Sequence, residues 1–409
     1  MADTTTAPPE TTRLQRVSDA TSRALAARIS LGRVLKPVPV EFVLIAGSAI
    51  LLTIFGVMMV SSATTVSSIQ QDDNPYNSGL QHLVFAAVGV PLMLIVSKFS
   101  IGVLKKLAWL ALIASVALQL LVFTPLGFGS GGNRNWIRVA GMSLQPSEFV
   151  KLALCIWLAM ILNRKRLLLR DWKHVALPLV PVVMLAVGTV MAGQDLGTVL
   201  IMALLVVGAV FFAGVRLRLF ILPMLVGFVG VTAAVMSSGS RRTRILSVFA
   251  NNCLEEIHYK NECFQPMHGL WGLASGGVFG LGLGNSKEKY DWLPAAADDY
   301  IFAIVGEELG LIGCLVLLLL YAVFAFAAFR IVARSDDMFA RVVSGSIGIW
   351  IIGQAFVNIG VVLRLFPALG VPLPFLSAGG SSLIAVLLAS GVLLACARTL
   401  PELPPPPRR

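Results

Sequence analysis

Four carboxylates stand close together in the segment Leu293–Gly310, "LPAAADDYIFAIVGEELG": Asp298 and Asp299 precede an aromatic Tyr-Ile-Phe, and Glu307 and Glu308 fall inside the apolar run that follows. A carboxylate at the boundary between water and lipid loses part of its solvation, which raises its pKa, while a nearby Lys or Arg lowers it again. The outcome is a base suited to taking a proton from a hydroxyl. Adjacent helical residues point about 100° apart, so only one of Asp298 and Asp299 is expected to face a reacting group. Asp299, next to the aromatic residues, is the candidate. Glu307 and Glu308 lie about 12–14 Å further along a helix rising 1.5 Å per residue, too deep for the same role. An ionisable group at that depth is either functional or structural, paired with a buried cation or held neutral. Lys151 is one candidate partner.

Basic residues gather in the two long connecting segments. Residues 124–147 contain "GSGGNRNWIRVAGMSLQPS", and residues 237–299 carry "SRRTR", two cysteines and "SGGVFGLGLGNSKEKYDWLP". Segments of this length in a compact protein are usually functional or disordered. The glycines from Gly276 to Gly284 suit either tight turns or the close approach of a ligand, and their spacing resembles a phosphate cradle only loosely. Arg134 and Arg138 flank Trp136, while Arg241, Arg242, Arg244, Lys287 and Lys289 belong to the longer segment. Singly, each reads as a solvated loop residue; together they suit an anionic headgroup such as a pyrophosphate. Trp136 and Trp292 fit interfacial anchors. Cys253 and Cys263 are close enough in sequence to pair in an oxidising compartment, although spacing alone does not establish the geometry. Two thiols do not make a metal site, even with His258 nearby.

The elements that must position these groups cross a membrane. The chain has 409 residues, is 57% hydrophobic and only 13% charged, and has a mean hydropathy of +0.84, far from a soluble composition. Apolar runs approaching the ~20 residues of a helical span occur at Phe42–Val60, Leu80–Ser97, Leu107–Phe123, Phe149–Leu162, Val175–Met191, Leu196–Val215, Leu219–Met236, Tyr300–Phe329, Val342–Leu363 and Ser381–Ala397. The expected fold is an all-α integral membrane protein of about ten transmembrane helices, with a long external loop, about residues 237–299, between the seventh and eighth. Lys and Arg cluster before the first span and after the second, fourth, sixth and eighth, which places both termini in the cytoplasm. The same placement accounts for the net charge of +11 through orientation and anionic lipids rather than nucleic acid. Residues 1–40 form a basic cytoplasmic tail, in which Leu14–Lys36 reads either as a helix lying on the membrane or as disordered chain. Residues 41–397 form the membrane domain, and 398–409 a proline-rich cytoplasmic tail. Cys155, Cys314 and Cys396 fall within spans as small apolar fillers.

Taken in order, "NRNWIRVAGMSLQPSEFVKLAL", "QDLGTVLIM", "SGGVFGLGLGNSKEKYDWLPAAADDYIFAIVGEELGLIG" and "PFLSAGGSSL" resemble the SEDS family of bacterial cell-wall proteins (shape, elongation, division and sporulation). Within it the chain resembles the division branch, FtsW, with the elongation branch, RodA, as near relative. The resemblance covers about Phe42 to Ala397. It implies a peptidoglycan glycosyltransferase that polymerises lipid II at the outer face of the bacterial cytoplasmic membrane during septal wall synthesis. It maps the essential aspartate onto Asp299, as base for the acceptor hydroxyl, and headgroup binding onto Arg134, Arg138, Lys151, Arg244 and Lys289. Trp136, Gln145, Ser147, Glu148, Gln265 and Ser377 match motif positions that would shape the cavity. A divalent cation such as Mg²⁺ or Mn²⁺ would assist the leaving pyrophosphate, although no metal cluster is visible. The implied partners are a class B penicillin-binding transpeptidase, other division proteins and membrane lipids.

The chain departs from the family pattern at three places: Asp298 stands where Thr is common, "QDLGT" lacks the proline of "QPDLGT", and Ala378 replaces the tyrosine of "SYGGSS". Two other readings use the same residues. A lipid II flippase would run its transport path past Glu307, Glu308 and Lys151, and a scaffold would recruit the transpeptidase without chemistry of its own.

Overall fold

The computed structural model describes residues 38–70, 77–130, 133–139, 142–169, 171–215, 253 and 263–401, with the isolated positions 230, 232, 236 and 239. The seventh expected span, Leu219–Met236, lies almost wholly outside them, as do Arg241, Arg242, Arg244, His258 and both tails.

The described chain is a helical bundle. Seven helices are long and apolar enough to cross a membrane: α1 (Val40–Gln70), α2 (Asn77–Val96), α3 (Ile101–Leu120), α4 (Pro146–Arg164), α8 (Ile301–Arg334), α9 (Met338–Val362) and α10 (Gly380–Ala397). Two further helices, α5 (Trp172–Ala192) and α6 (Leu196–Phe212), also match expected spans but have shorter apolar stretches. Nine of the ten expected spans are therefore in place among the described residues. A short helix, α7 (Phe264–Gly276), precedes α8.

Burial identifies the axis of the bundle. Within their apolar windows α4 is 83% and α10 is 89% buried, against 28% for α2 and for α3, which leave most of their surface to lipid. Helix α4 carries Ser147, Glu148 and Lys151, polar groups that a membrane helix keeps among other helices and away from lipid. Small residues in α10, among them Ser382, Ala385, Ala389 and Ser390, let its neighbours come close. It packs on α1, α2 and α4, while α4 packs also on α3 and α9.

Local chemistry starts the helices. Ser100, Asp171, Asp195 and Asp337 each accept a backbone N–H of the first turn of α3, α5, α6 and α9. Pro146 opens α4, where its missing N–H costs nothing.

The connection between α3 and α4 is not an irregular loop. It folds into a three-stranded antiparallel sheet, β1 (Gly127–Ser130), β2 (Asn133–Val139) and β3 (Met142–Leu144), in that order. Strand alternation sorts β2 into two faces, with Asn135 and Ile137 buried and Arg134 and Arg138 exposed.

The longer connection is also ordered where it is described. Cys253 and Cys263 form a disulfide with Cα atoms 5.4 Å apart, so the expected pair is joined.

Candidate active site

The acidic pair Asp298–Asp299 is held by its backbone. A tight turn at Ala295 (φ 54°) lets the Ala295 carbonyl accept the N–H groups of Asp298, Asp299 and Tyr300. The three carbonyls that follow are each claimed by another part of the chain. Ala297 O accepts from Ala378 N (3.0 Å), Asp298 O from the Ser377 hydroxyl, and Asp299 O from Asn358 Nδ2 (2.8 Å). The departure at Ala378 leaves this link intact, because the bond uses backbone atoms. The backbone of the turn is thus fixed on Asn358 of α9 and on the segment between α9 and α10.

The Asp299 side chain faces that same segment. A Cβ added to Gly370, which has φ +66°, would lie 3.6 Å from Asp299 Oδ2. Asp299 is half-buried at the top of α8. Asp298 is exposed, yet the surrounding protein mass pushes its carboxyl above the usual aspartate range.

One face of α9 secures the segment that Asp299 faces. Trp350, Gln354 and Asn358 recur at intervals of one helical turn. Asn358 bridges Asp299 O and Val371 O, both at 2.8 Å, and Gln354 Nε2 donates to Pro372 O at 2.8 Å. Gln354 Oε1 accepts from Trp350 Nε1 (2.9 Å) and from Lys151 Nζ (2.7 Å). Lys151 also pairs with Glu148 at 2.7 Å, with both side chains within 1% of full burial. The expected pairing of Lys151 with Glu307 or Glu308 is therefore not what forms; Glu148, three residues earlier on the same helix face, takes it.

Glu307 and Glu308 hold the glycine-rich loop. Glu307 accepts from the Ser286 hydroxyl and from the N–H groups of Lys287 (2.9 Å) and Glu288 (3.3 Å). Glu308 accepts from Ser62 of α1 (2.7 Å) and pairs with Lys289 at 3.1 Å, with Lys289 and Glu308 both almost fully buried. Lys289 also donates to Gly284 O (2.6 Å). Among the expected headgroup ligands, Lys289 and Lys151 are thus enclosed in protein.

The glycines of that loop have a backbone explanation. Helix α8 breaks at Gly310 (φ 67°, ψ −165°). Across the break, Glu307 O and Glu308 O accept from Leu281 N (2.9 Å) and Gly282 N (3.0 Å), while Leu311 N and Ile312 N donate to Gly277 O (3.0 Å) and Val278 O (3.2 Å). The loop supplies the partners that the interrupted helical turn lacks, as any buried backbone requires in a membrane. A Cβ on Gly280 would lie 2.2 Å from Glu308 O, and one on Gly310 would lie 2.4 Å from Gly280 N. Close approach of backbone to backbone, not of a phosphate, accounts for these positions.

Beside the loop, Glu288 meets His268 Nδ1 at 2.7 Å, within a ring cluster of Phe264, Trp271 and Trp292. Burial pushes the Glu288 carboxyl up, and the His268 hydrogen bond opposes the shift. Gln265 Nε2 donates to Pro294 O (2.9 Å), close to the turn that carries the aspartates.

A second knot joins the sheet to the same face of the bundle. Buried Asp195 accepts from Asn135 Nδ2 (2.7 Å), Gln145 Nε2 (3.3 Å), Thr198 N (2.9 Å) and the Thr198 hydroxyl (2.8 Å). Gln145 N in turn donates to Ser381 Oγ at 2.9 Å, at the start of α10. Gln145, expected to shape the cavity, links Asp195 at the start of α6 to Ser381 at the start of α10. Ser147, also expected there, is fully buried beside it, with its hydroxyl unpartnered among the described residues.

Two exposed cations remain on the sheet. Arg134 donates to Thr124 O (3.0 Å), and Arg138 lies over the Phe128 ring at 4.9 Å. Trp136, between them in sequence, is half-buried. Among the described residues no three His, Cys, Asp or Glu side chains gather as a metal site.

The comparisons agree on one family. The family model of the FtsW/RodA/SpoVE cell cycle proteins matches residues 42–401. The probable peptidoglycan glycosyltransferase FtsW of Mycobacterium tuberculosis is 35% identical over 363 residues, which is 88% of this chain and 68% of that protein. The rod shape determining protein RodA of Thermus thermophilus shares the fold with a TM-score of 0.63 and 25% identity, over 88% of this chain and 97% of that one. A chain from a peptidoglycan synthase complex, described as coordinating polymerisation and crosslinking, has a TM-score of 0.69 at 24% identity, over 88% of this chain and 98% of that one. On its sequence, its fold and these matches, the chain belongs to the FtsW/RodA/SpoVE family of cell cycle proteins.

Proposed function

We infer that the chain is a peptidoglycan glycosyltransferase, with lipid II as donor and acceptor and Asp299 as general base. The observation that carries the assignment of the base is the tether of residues 297–299, which fixes the backbone by three bonds to α9 and the following segment while aiming Asp299 at Gly370. Fixing a base in this way removes the cost of ordering it at each turnover.

The step balances with the chain's own groups. Asp299 takes the proton of the 4-hydroxyl of the acceptor N-acetylglucosamine. That oxygen forms a bond to the anomeric carbon of the donor N-acetylmuramic acid, and the bond from this carbon to the pyrophosphate breaks. Undecaprenyl pyrophosphate leaves with the electron pair. Arg134 and Arg138, exposed on the sheet at the same face, offer positive charge to an anionic headgroup. Arg244 would act with them; it lies outside the described residues.

This reading places the Asp299 face outside the bacterial cytoplasmic membrane and the ends of the chain inside, in keeping with the basic clusters of the opposite connections. A septal location and a class B transpeptidase partner belong to the same reading. Against the flippase alternative, Glu307, Glu308 and Lys151 are each held by protein partners.

Purified chain with its cognate transpeptidase, given labelled lipid II, tests the assignment. The partner must lack a polymerase module of its own. Glycan chains from the native protein and none from folded Asp299→Ala support it. Absence of chains from both, with lipid II still bound, moves the assignment to a flippase or scaffold.

A further inference from the structure

At the end of the bundle opposite Asp299 there is a cavity of about 550 Å³, formed where α3, α4, α6 and α9 meet. Its charged lining is Lys105, Arg166, Arg341, Asp336 and Asp337, and Leu167 is on its wall. The glycosyltransferase reading gives this cavity no task.

Its charges are only partly neutralised. Asp337 is committed twice, to Lys105 at 3.0 Å and to the N–H of Phe339 at 2.8 Å as the cap of α9. Arg341 Nε is buried and has no hydrogen-bond partner among the described residues. Arg166 and Asp336 are exposed, and with three cations against two carboxylates the lining keeps an excess of one positive charge. A buried guanidinium donor without an acceptor costs free energy that an oxyanion would recover. The excess of one matches a singly charged phosphodiester better than a doubly charged phosphate monoester.

The apolar side of the cavity selects the source of that group. Leu167 is 87% exposed and Leu168 is 46% exposed, both in the turn that also carries Arg166. A leucine pair at a basic rim suits a ligand with an ionic head and an acyl body. We propose that this cavity is a binding site for one anionic glycerophospholipid of the inner leaflet, its phosphodiester on Arg341 and Arg166 and its glycerol and chains against Leu167. The leaflet, but not the site, rests on the orientation inferred above.

The full chain in neutral detergent, titrated with short-chain phosphatidylglycerol or phosphatidylcholine and read by native mass spectrometry, tests the site. Neither lipid II nor membrane sidedness enters, so a failure of the glycosyltransferase reading leaves the result unaffected. One phosphatidylglycerol is expected to bind, with phosphatidylcholine weaker. Arg166→Gln/Arg341→Gln should weaken it about thirtyfold, the effect of losing two basic side chains at a lipid surface. Asp336→Asn should tighten it, a gain that misfolding does not produce. Arg398→Gln, which removes a cation stacked on Phe42 away from the cavity lining, should leave it unchanged. Equal binding by the double variant, or equal loss in Arg398→Gln, overturns the proposal. Displacement by inorganic phosphate at the same concentration, with the same dependence on Arg341, overturns the lipid in favour of a free anion.

Discussion

Asp298–Asp299 and Glu307–Glu308 are two acidic pairs nine residues apart, and the bonds that hold them differ. The aspartates are fixed through their backbone carbonyls, by Ser377, Asn358 and Ala378. The glutamates are fixed through their carboxylates, by Ser62, Ser286, Lys289 and the loop N–H groups. A carboxylate whose oxygens are all engaged is a structural part. The turn at Asp298 and Asp299 has its position set by three backbone carbonyls. The contrast gives the proposed base and the buried glutamates different expected responses to substitution.

Asp299→Asn is the sharpest way to break the comparison. It should cut polymerisation by about 10²–10⁴-fold, the usual worth of a general base, with the melting temperature unchanged. A large drop in stability instead would place Asp299 with the scaffold. Glu308→Ala should do the reverse, destabilising the chain by about 3–5 kcal/mol because it strands Lys289 in the interior. Thermal unfolding in detergent reads this, and Glu308→Ala/Lys289→Met should recover a good part of the loss. Gly280→Ala should cost about 1–3 kcal/mol in the same assay, since its Cβ would meet Glu308 O at 2.2 Å from a backbone at φ +78°.

The smallest effect concerns Asp298. Its raised pKa means that the folded chain keeps this proton to higher pH than the unfolded chain does. Stability therefore falls as pH rises from the ordinary aspartate range through the raised value. Asp298→Asn removes that fall, so the variant should melt with the native protein in acid and above it at neutral pH, while keeping most of its activity. Equal melting at both pH values would show that Asp298 titrates as a solvated group.

The sequence reveals the bundle more fully than the site. Hydropathy locates the spans because a membrane imposes length and composition on every one of them. The sheet is harder to see, although "NRNWIRV" alternates buried and exposed residues with period two, a signal present but masked by its glycine-rich flanks. Lys151 shows the limit of charge matching at a distance: Glu148 was available three residues away on the same helix face. Gln354 and Asn358 carry the site's support, and their spacing of one turn within an otherwise apolar helix was the available signal. The partnership of Lys289 with Glu308 depends on a loop threading a broken helix, which no local pattern encodes.

The break at Gly310 also bears on how the chain is made. Helix α8 must enter the bilayer with Glu307 and Glu308 on board, and a charged side chain at a helix centre opposes insertion by about 2.5–3.5 kcal/mol. The stretch from Leu311 to Phe324 is rich in Leu, Ile, Val and Phe, each favouring insertion by about 0.3–0.6 kcal/mol, which offsets that opposition. From Leu311 to Arg334 the helix is about 36 Å long at 1.5 Å per residue, enough to span the hydrocarbon by itself. The stretch before the break, Ile301–Leu309, which bears the glutamates, is thus surplus to the span. It is completed by hydrogen bonds to the glycine-rich loop, so the part of α8 that follows Asp299 is held by the protein's own chain.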